Sequence, residues 1–149
     1  MAPFESELQE LIYGILVGDP ALSAYLGADT IDGRIRLSFN DSEVERVSAS
    51  KPAYIVIETM PAPAPVRLGS GIDDWTERYC LHIFTRPENR DLRAAIEERL
   101  RELLHRKRFS TARFIVYHVF EDGREGVLTE SGLLDYRYTV SLQFLPKGS

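Results

Sequence analysis

The final segment of the chain alternates strictly between apolar and polar side chains. The apolar positions are Leu134, Tyr136, Tyr138, Val140, Leu142 and Phe144, and the polar positions between them are Asp135, Arg137, Thr139, Ser141 and Gln143. Because successive side chains of a strand point to opposite faces, this pattern predicts a long β-strand with one buried and one wet face. A wet face is typical of an antiparallel sheet that helices cover on one side only. It also offers a surface on which a partner can dock.

The composition is that of an ordinary globular protein. The chain has 149 residues, of which 44% are hydrophobic and 28% charged, so we expect a single domain spanning 1–149. The single cysteine, Cys80, cannot form a disulfide within the chain, which suits a reducing compartment. The net charge of −5 argues against a general nucleic-acid binder. No apolar run is long enough for a membrane-spanning helix, so we expect no membrane association.

Three segments have the periodicity of amphipathic helices. The first spans Phe4–Leu16, and the second begins after the N-cap signal Asp19-Pro20 and ends at Gly27. The third contains Leu92–Leu104 and is predicted to be about 17 residues long. The second helix carries almost no basic or amide side chains, so the helix–turn–helix shape does not indicate DNA recognition.

The remaining periodic segments predict strands separated by loops. We expect strands at 31–39, 53–58, 75–85, 112–120 and 134–144, and loops at 40–50, 60–74 and 121–132. The Pro- and Gly-rich loop at 60–74 is long for a compact domain, and such loops are more often functional than accidental. The order α-α-β-β-β-α-β-β predicts an α+β fold. Its mostly antiparallel sheet of about four to five strands has helices packed on one face.

No pattern of catalytic or metal-ligating residues stands out. The histidines His82, His105 and His118 fall in separate predicted elements, and none has a neighbour at metal-ligand spacing. Cys80 and His82 would point together from one strand face, but nothing around them has the context of an activated nucleophile. We therefore predict no catalytic, cofactor or metal site. A small enzyme or ligand-binding domain that uses Cys80 and His82 stays open as an alternative.

Several segments together resemble a known family. They are DPALSAYLG at Asp19–Gly27, GRI at Gly33–Ile35, KPAYIVI at Lys51–Ile57, the leucine-rich helix at Leu92–Leu104, and YRYTVSLQF at Tyr136–Phe144. Their order and spacing, over nearly the whole chain, are similar to those of the small tail-completion, or tail-terminator, proteins of long-tailed phages and phage-like particles.

The resemblance implies a structural and non-enzymatic role without a cofactor. Such proteins assemble as a ring, typically of six subunits, on the head-proximal end of the tail tube. The implied partners are further copies of the chain, the tail tube protein and the head–neck connector protein, with DNA passing through the ring without specific binding. The implied location is the virion, with the host cytoplasm as the site of assembly. Another head–tail connector or a tube-like component is the alternative within this class.

Two kinds of surface are candidates for the contacts of such a ring. The predicted loops at 60–74 and 121–132 would serve as arms that reach a neighbouring subunit or the tube. The mixed face of the 75–85 strand and the polar face of the last strand would provide further contacts. The candidate interface residues are Arg67, Trp75, Arg78, His82, Phe84, Arg124, Arg137 and Gln143.

Overall fold

The computed structural model describes residues 6–27, 34–37, 47–62, 66–67, 73–130 and 132–147. The helices are α1 (Glu7–Val17), α2 (Pro20–Leu26) and α3 (Arg90–Leu104). The strands are β1 (Ile35–Arg36), β2 (Ala53–Met60), β3 (Val66–Arg67), β4 (Asp73–Thr85), β5 (Phe109–Ser110), β6 (Phe114–Leu128) and β7 (Leu134–Pro146). None of the helices in these ranges has both the length and the apolar character needed to cross a membrane.

All the described strands belong to one mixed sheet. Its order is β1-β2-β4-β7-β6-β5, and β3 pairs with the first residues of β4. The pair β1–β2 is parallel, and the other described pairs are antiparallel. The α+β class is therefore confirmed, but the predicted number of four to five strands is too low. The two strands that were not predicted, β3 and β5, have only two residues each, which is too short to leave a periodic signal in the sequence.

The core lies between the three helices and one face of this sheet. Each helix presents a buried apolar stripe, such as Leu8, Ile12 and Leu16 of α1. The facing strand residues alternate along β4 and β7, as the sequence predicted for both strands. The fully buried members of this face include Tyr79, Leu81, Ile83, Tyr138, Val140 and Leu142.

The helix boundaries follow from capping. The side chain of Ser6 accepts a hydrogen bond from the backbone N–H of Gln9, and the side chain of Asp19 accepts one from the N–H of Leu22 at 2.8 Å. The helices α1 and α2 therefore begin directly after these capping residues. Gly27 ends α2 in the left-handed region, with φ of +73°. The predicted third helix is slightly shorter than expected, at 15 residues.

The hairpin formed by β6 and β7 is longer than predicted. The sequence Glu-Asp-Gly at 121–123 predicted a turn and 126–132 a loop, but β6 runs unbroken to Leu128. A register shift between Glu121 and Gly123 absorbs one extra residue as a bulge, so the ladder with β7 continues. The true turn lies between Thr129 and Leu133, where the Thr129 N–H donates to the Leu133 carbonyl at 2.8 Å.

Other predicted segments match only in part. The predicted loop at 60–74 contains β3, which pairs with Asp73–Asp74, so β4 begins two residues earlier than expected. Residues 63–65 and 68–72 of that segment lie outside the described residues. Of the strand predicted at 31–39, Ile35–Arg36 is a strand; 31–33 and 38–39 are not described. Most of the loop predicted at 40–50 also lies outside the described residues.

Candidate functional site

The face of the sheet opposite the helices carries the candidate site. Neighbouring strands bring its residues side by side, because Glu58 of β2 lies opposite Cys80 of β4, and Cys80 lies opposite Thr139 of β7. Two residues further along β4, and on the same face, His82 lies opposite Arg137 of β7. These side chains therefore converge from three strands that are far apart in the sequence.

A concave groove of about 780 Å³ lies over these residues. Its floor comes from the middle of the sheet, and its wall comes from the bulged part of β6 around Asp122 and Gly123. The groove is polar, since its lining includes Glu58, Arg78, Cys80, His82, Asp135 and Arg137.

His82 is the centre of a buried polar network. Its ring is 4% exposed, and its Nδ1 lies 2.8 Å from Oδ1 of Asp135, a carboxylate that is itself 4% exposed. Its Nε2 lies 2.9 Å from Oε1 of Glu58. Ionised carboxylates accept hydrogen bonds but cannot donate them, so both ring nitrogens carry hydrogens and the ring is an imidazolium. Two carboxylates thus hold one buried cation between β2 and β7.

The electrostatics of His82 agree with this geometry. Burial alone would lower the pKa of the imidazole, but hydrogen bonds with Asp135, Cys80 and Glu58 outweigh it and raise the pKa to about 10, from an ordinary value of 6.5. Arg137 also donates from Nε to Oδ2 of Asp135 at 3.1 Å, and this bond raises the pKa of the guanidinium. The site is therefore an ion network of linked carboxylates and cations.

This network corrects the prediction that the polar side of the last strand is uniformly wet. Asp135 and Ser141 are buried, at 4% and 2% exposure. Ser141 donates to Oδ2 of Asp122 at 2.8 Å, and Arg78 donates to the same oxygen at 2.8 Å. The β6 segment that was expected to be a loop therefore pairs with β7, and the Asp122 side chain at its bulge covers part of the polar face.

A small apolar cluster lies beside His82 on the same face of the sheet. The rings of Tyr54 and Phe84 stack with their centroids 4.7 Å apart, and the ring of His82 lies 6.1 Å from that of Phe84. Val56 and Leu133 complete the contact and are also buried. The cluster excludes water from one side of His82, which strengthens its hydrogen bonds with the carboxylates.

The structure divides the predicted interface residues between several environments. Arg78, His82, Phe84, Arg137 and Gln143 share the helix-free face, although His82 and Phe84 are buried, at 4% and 7% exposure. Trp75 belongs to the helix-covered face at the end of the sheet and is 42% exposed, and Arg124 reaches Glu97 of α3 at 3.4 Å. Arg67 pairs with Asp73 through the backbone, and its side chain is not described. The interface role of all eight residues stays a prediction.

Sequence reasoning missed Glu58, Asp122 and Asp135 as members of the site. Glu58 and Asp135 are single acidic residues in predicted strands, and Asp122 belongs to the Glu-Asp-Gly segment that predicted a turn, so none of the three forms a motif. The one available signal was that Glu58 shares a face of its predicted strand with the apolar residues Tyr54 and Val56. Only the pairing of β2, β4, β7 and β6 brings the three acids to one face. Glu58 and Asp135 lie there beside His82, and Asp122 lies beside Arg78 and Ser141.

Comparisons with known proteins show similarity at the level of fold. No protein-family model matches the sequence, and a search of curated proteins finds no significant match. Among solved structures, a chain in the virion of a native gene transfer agent particle superposes with a TM-score of 0.65 at 10% sequence identity. The match covers 90% of this chain and 91% of that chain, so the two share a fold over nearly their whole lengths.

Proposed function

We propose that this protein is a structural component of a phage-like particle. Within that class, we propose that it caps the head-proximal end of the tail tube as a ring, ends tube growth and contacts the head–neck connector. The observation that carries the proposal is the whole-length fold likeness to a chain of a gene transfer agent virion. That likeness supports a virion component only; the capping position rests on the resemblance of the sequence to tail-completion proteins.

An open strand edge provides a surface for self-assembly. On the side of β6 away from β7, β5 pairs with Ile115 and Val116, and Arg106 donates to the Val119 carbonyl. Beyond that point no strand of the described residues pairs with β6, and residues 122–126 are exposed. Unpaired strand edges are templates for adding a strand from another chain. The edge ends at Leu128, which is 65% exposed.

The opposite side of the sheet offers a second edge. β1 pairs with only Ile55 and Val56 of β2, so within the described residues 57–60 have no strand on that side. A ring needs two different patches that fit one another, because each subunit meets its neighbour head to tail. Pairing of the β6 edge with the β2 edge of the next subunit would continue the sheet around such a ring. We propose this as the subunit contact.

The polar groove supports a second candidate function. A buried Cys80–His82 pair beneath a cavity of about 780 Å³ is a setting in which a small enzyme or ligand-binding domain could operate. No activated nucleophile is evident, because both nitrogens of His82 are engaged by carboxylates and neither can accept a proton from the thiol. We therefore rank the structural role first.

The test of the ring uses purified full-length protein, alone and mixed with isolated tail tubes. Electron microscopy is expected to show closed rings, free or on one end of the tubes. Leu128→Lys should reduce ring formation at least about tenfold, because it places a charge at the end of the open edge. Ile115→Lys is the matched control, since Ile115 is also exposed on β6 (46%) but its edge is already paired with β5.

The experiment tests the capping role and the β6 edge contact separately. Wild-type protein that forms no rings and leaves tube ends bare would refute the capping role. Rings that tolerate Leu128→Lys as well as Ile115→Lys would refute the β6 edge as the contact. Leu128 and Ile115 are 65% and 46% exposed, so the free energy of unfolding should change by no more than about 0.5 kcal/mol in either variant.

A further inference from the structure

We propose that Glu58, Cys80 and His82 form a binding site for a divalent transition-metal ion of the Zn²⁺ type. One ligand atom from each residue, a carboxylate oxygen, the thiol sulfur and a ring nitrogen, lies within 4.8 Å of the other two. In a tetrahedral zinc site with bonds of about 2.0–2.3 Å, neighbouring ligand atoms are about 3.3–3.8 Å apart. The three donors therefore need only small rotations to reach ligand geometry.

The strand register explains why the donors converge. Cys80 and His82 are two residues apart on β4, so their side chains leave the same face of the sheet. Glu58 lies directly opposite Cys80 on β2. The ligands therefore come from two paired strands in the middle of the sheet, which are more rigid supports than loops.

Asp135 orients the imidazole as the partner of a metal ligand does. Its carboxylate accepts from Nδ1 of His82 at 2.8 Å and 3.1 Å, which leaves Nε2 directed at Glu58. Metal-bound histidines usually donate their second ring N–H to such a carboxylate, which fixes the tautomer and increases ligand basicity. Arg137 in turn holds Asp135 through its Nε. This carboxylate lies outside the three-ligand set and is buried.

The ligand set selects the class of metal. A thiolate, an imidazole and one carboxylate suit Zn²⁺ and its spectroscopic substitute Co²⁺, whereas Mg²⁺ and Ca²⁺ prefer an all-oxygen shell. Three protein ligands leave a fourth position, and the groove lined by the same residues supplies it with water. Cys80 is 2% exposed, and Glu58 is the most exposed of the three, with a side chain that is 41% accessible. The ion would therefore enter from the Glu58 side.

Protons compete with the metal for the same space. Without a metal, Nε2 of His82 lies at the hydrogen-bond distance of 2.9 Å from Oε1 of Glu58, and a proton at this contact occupies the nitrogen that the metal would use. Metal ions bind the thiolate and the neutral imidazole, so binding of M²⁺ releases protons from these side chains. The function proposed above does not require this metal.

The test is titration of tag-free, full-length protein with Zn²⁺ and Co²⁺. Calorimetry is expected to give one saturable site per chain, and repetition in buffers of different ionisation enthalpy should count the released protons. Bound Co²⁺ should show the intense d–d bands of a tetrahedral site and a sulfur-to-cobalt charge-transfer band. Cys80→Ser should abolish the charge-transfer band and weaken binding by about tenfold or more, and Glu58→Gln should also weaken binding.

The control is His118→Gln, because His118 is exposed on β6 and lies outside the cluster. It should leave affinity and spectrum unchanged. Absence of a saturable site, or binding that survives both Cys80→Ser and Glu58→Gln unchanged, would overturn the proposal. Glu58 is partly exposed and its substitution is compatible with folding, so Glu58→Gln decides the outcome even if Cys80→Ser does not fold.

Discussion

Replacement of Asp135 by Asn should destabilise the protein in a strongly pH-dependent way. The folded chain raises the pKa of His82 to about 10, against 6.5 for an ordinary histidine. Since one pKa unit is worth about 1.4 kcal/mol, the whole environment of the imidazolium stabilises the fold by roughly 5 kcal/mol at low pH. Hydrogen bonds with Glu58 and Cys80 provide part of this stabilisation, so we expect loss of the Asp135 charge alone to lower the free energy of unfolding by about 3 kcal/mol near pH 6.

The sign of the pH dependence follows from the direction of the shift. Because the pKa of His82 is higher in the folded chain, the stabilisation is complete below about pH 6.5 and is lost as the pH rises towards 10. The difference between wild type and Asp135→Asn should therefore shrink across this interval and be small near pH 10. Urea unfolding at several pH values, followed by fluorescence and circular dichroism, measures it directly.

Asp122→Asn is the matched control for this experiment. It makes the same carboxylate-to-amide change on the same sheet face, but Asp122 pairs with Arg78, and both side chains are about one-third exposed. Such a pair contributes no more than about 1 kcal/mol, with little change between pH 6 and 10. An Asp135→Asn cost as small as that of the control, or one that is constant with pH, would refute an imidazolium at position 82.

Three further substitutions test the helical layer. Gly27→Ala should lower the free energy of unfolding by more than about 1 kcal/mol, because φ is +73° and an added Cβ would lie 2.2 Å from the Ser50 carbonyl oxygen. Gly14→Ala, with nothing within 4 Å, should instead stabilise α1 by about 0.5–1 kcal/mol in the same thermal melts. Asp19→Asn should cost about 1–2 kcal/mol at neutral pH, since hydrogen bonding to Arg99 holds the pKa of Asp19 below its usual value. That cost should disappear as the pH falls through the lowered pKa, and a cost that persists in acid would contradict the assignment.

Local patterns were sufficient to predict the three helices and the strands β4 and β7. In each of these elements the side that faces the core is mostly apolar. The sequence therefore shows alternation in β4 and β7 and apolar stripes in the three helices. The N-cap of α2 could likewise be read from Asp19 and Pro20, because capping is decided within four residues.

Features that depend on partner strands could not be predicted in this way. Glu121-Asp122-Gly123 has the composition of a turn, yet it continues β6, because the facing segment of β7 supplies a ladder that a bulge can follow. Asp135 has the polar character of a wet strand face, yet it is buried against His82, 53 positions earlier in the chain. Such contacts depend on how strands from distant parts of the sequence pair, and a short stretch of sequence does not contain that information.

Immunogold labelling of this protein on purified phage-like particles tests the central claim most directly. The proposed role predicts label at a single position on each particle, at the junction between the tail and the head. It also predicts that particles lacking the protein have tails of uncontrolled length or tails detached from heads. Purified, correctly assembled particles that carry no label, with the protein recovered entirely in the particle-free fraction, would contradict a structural role in the virion.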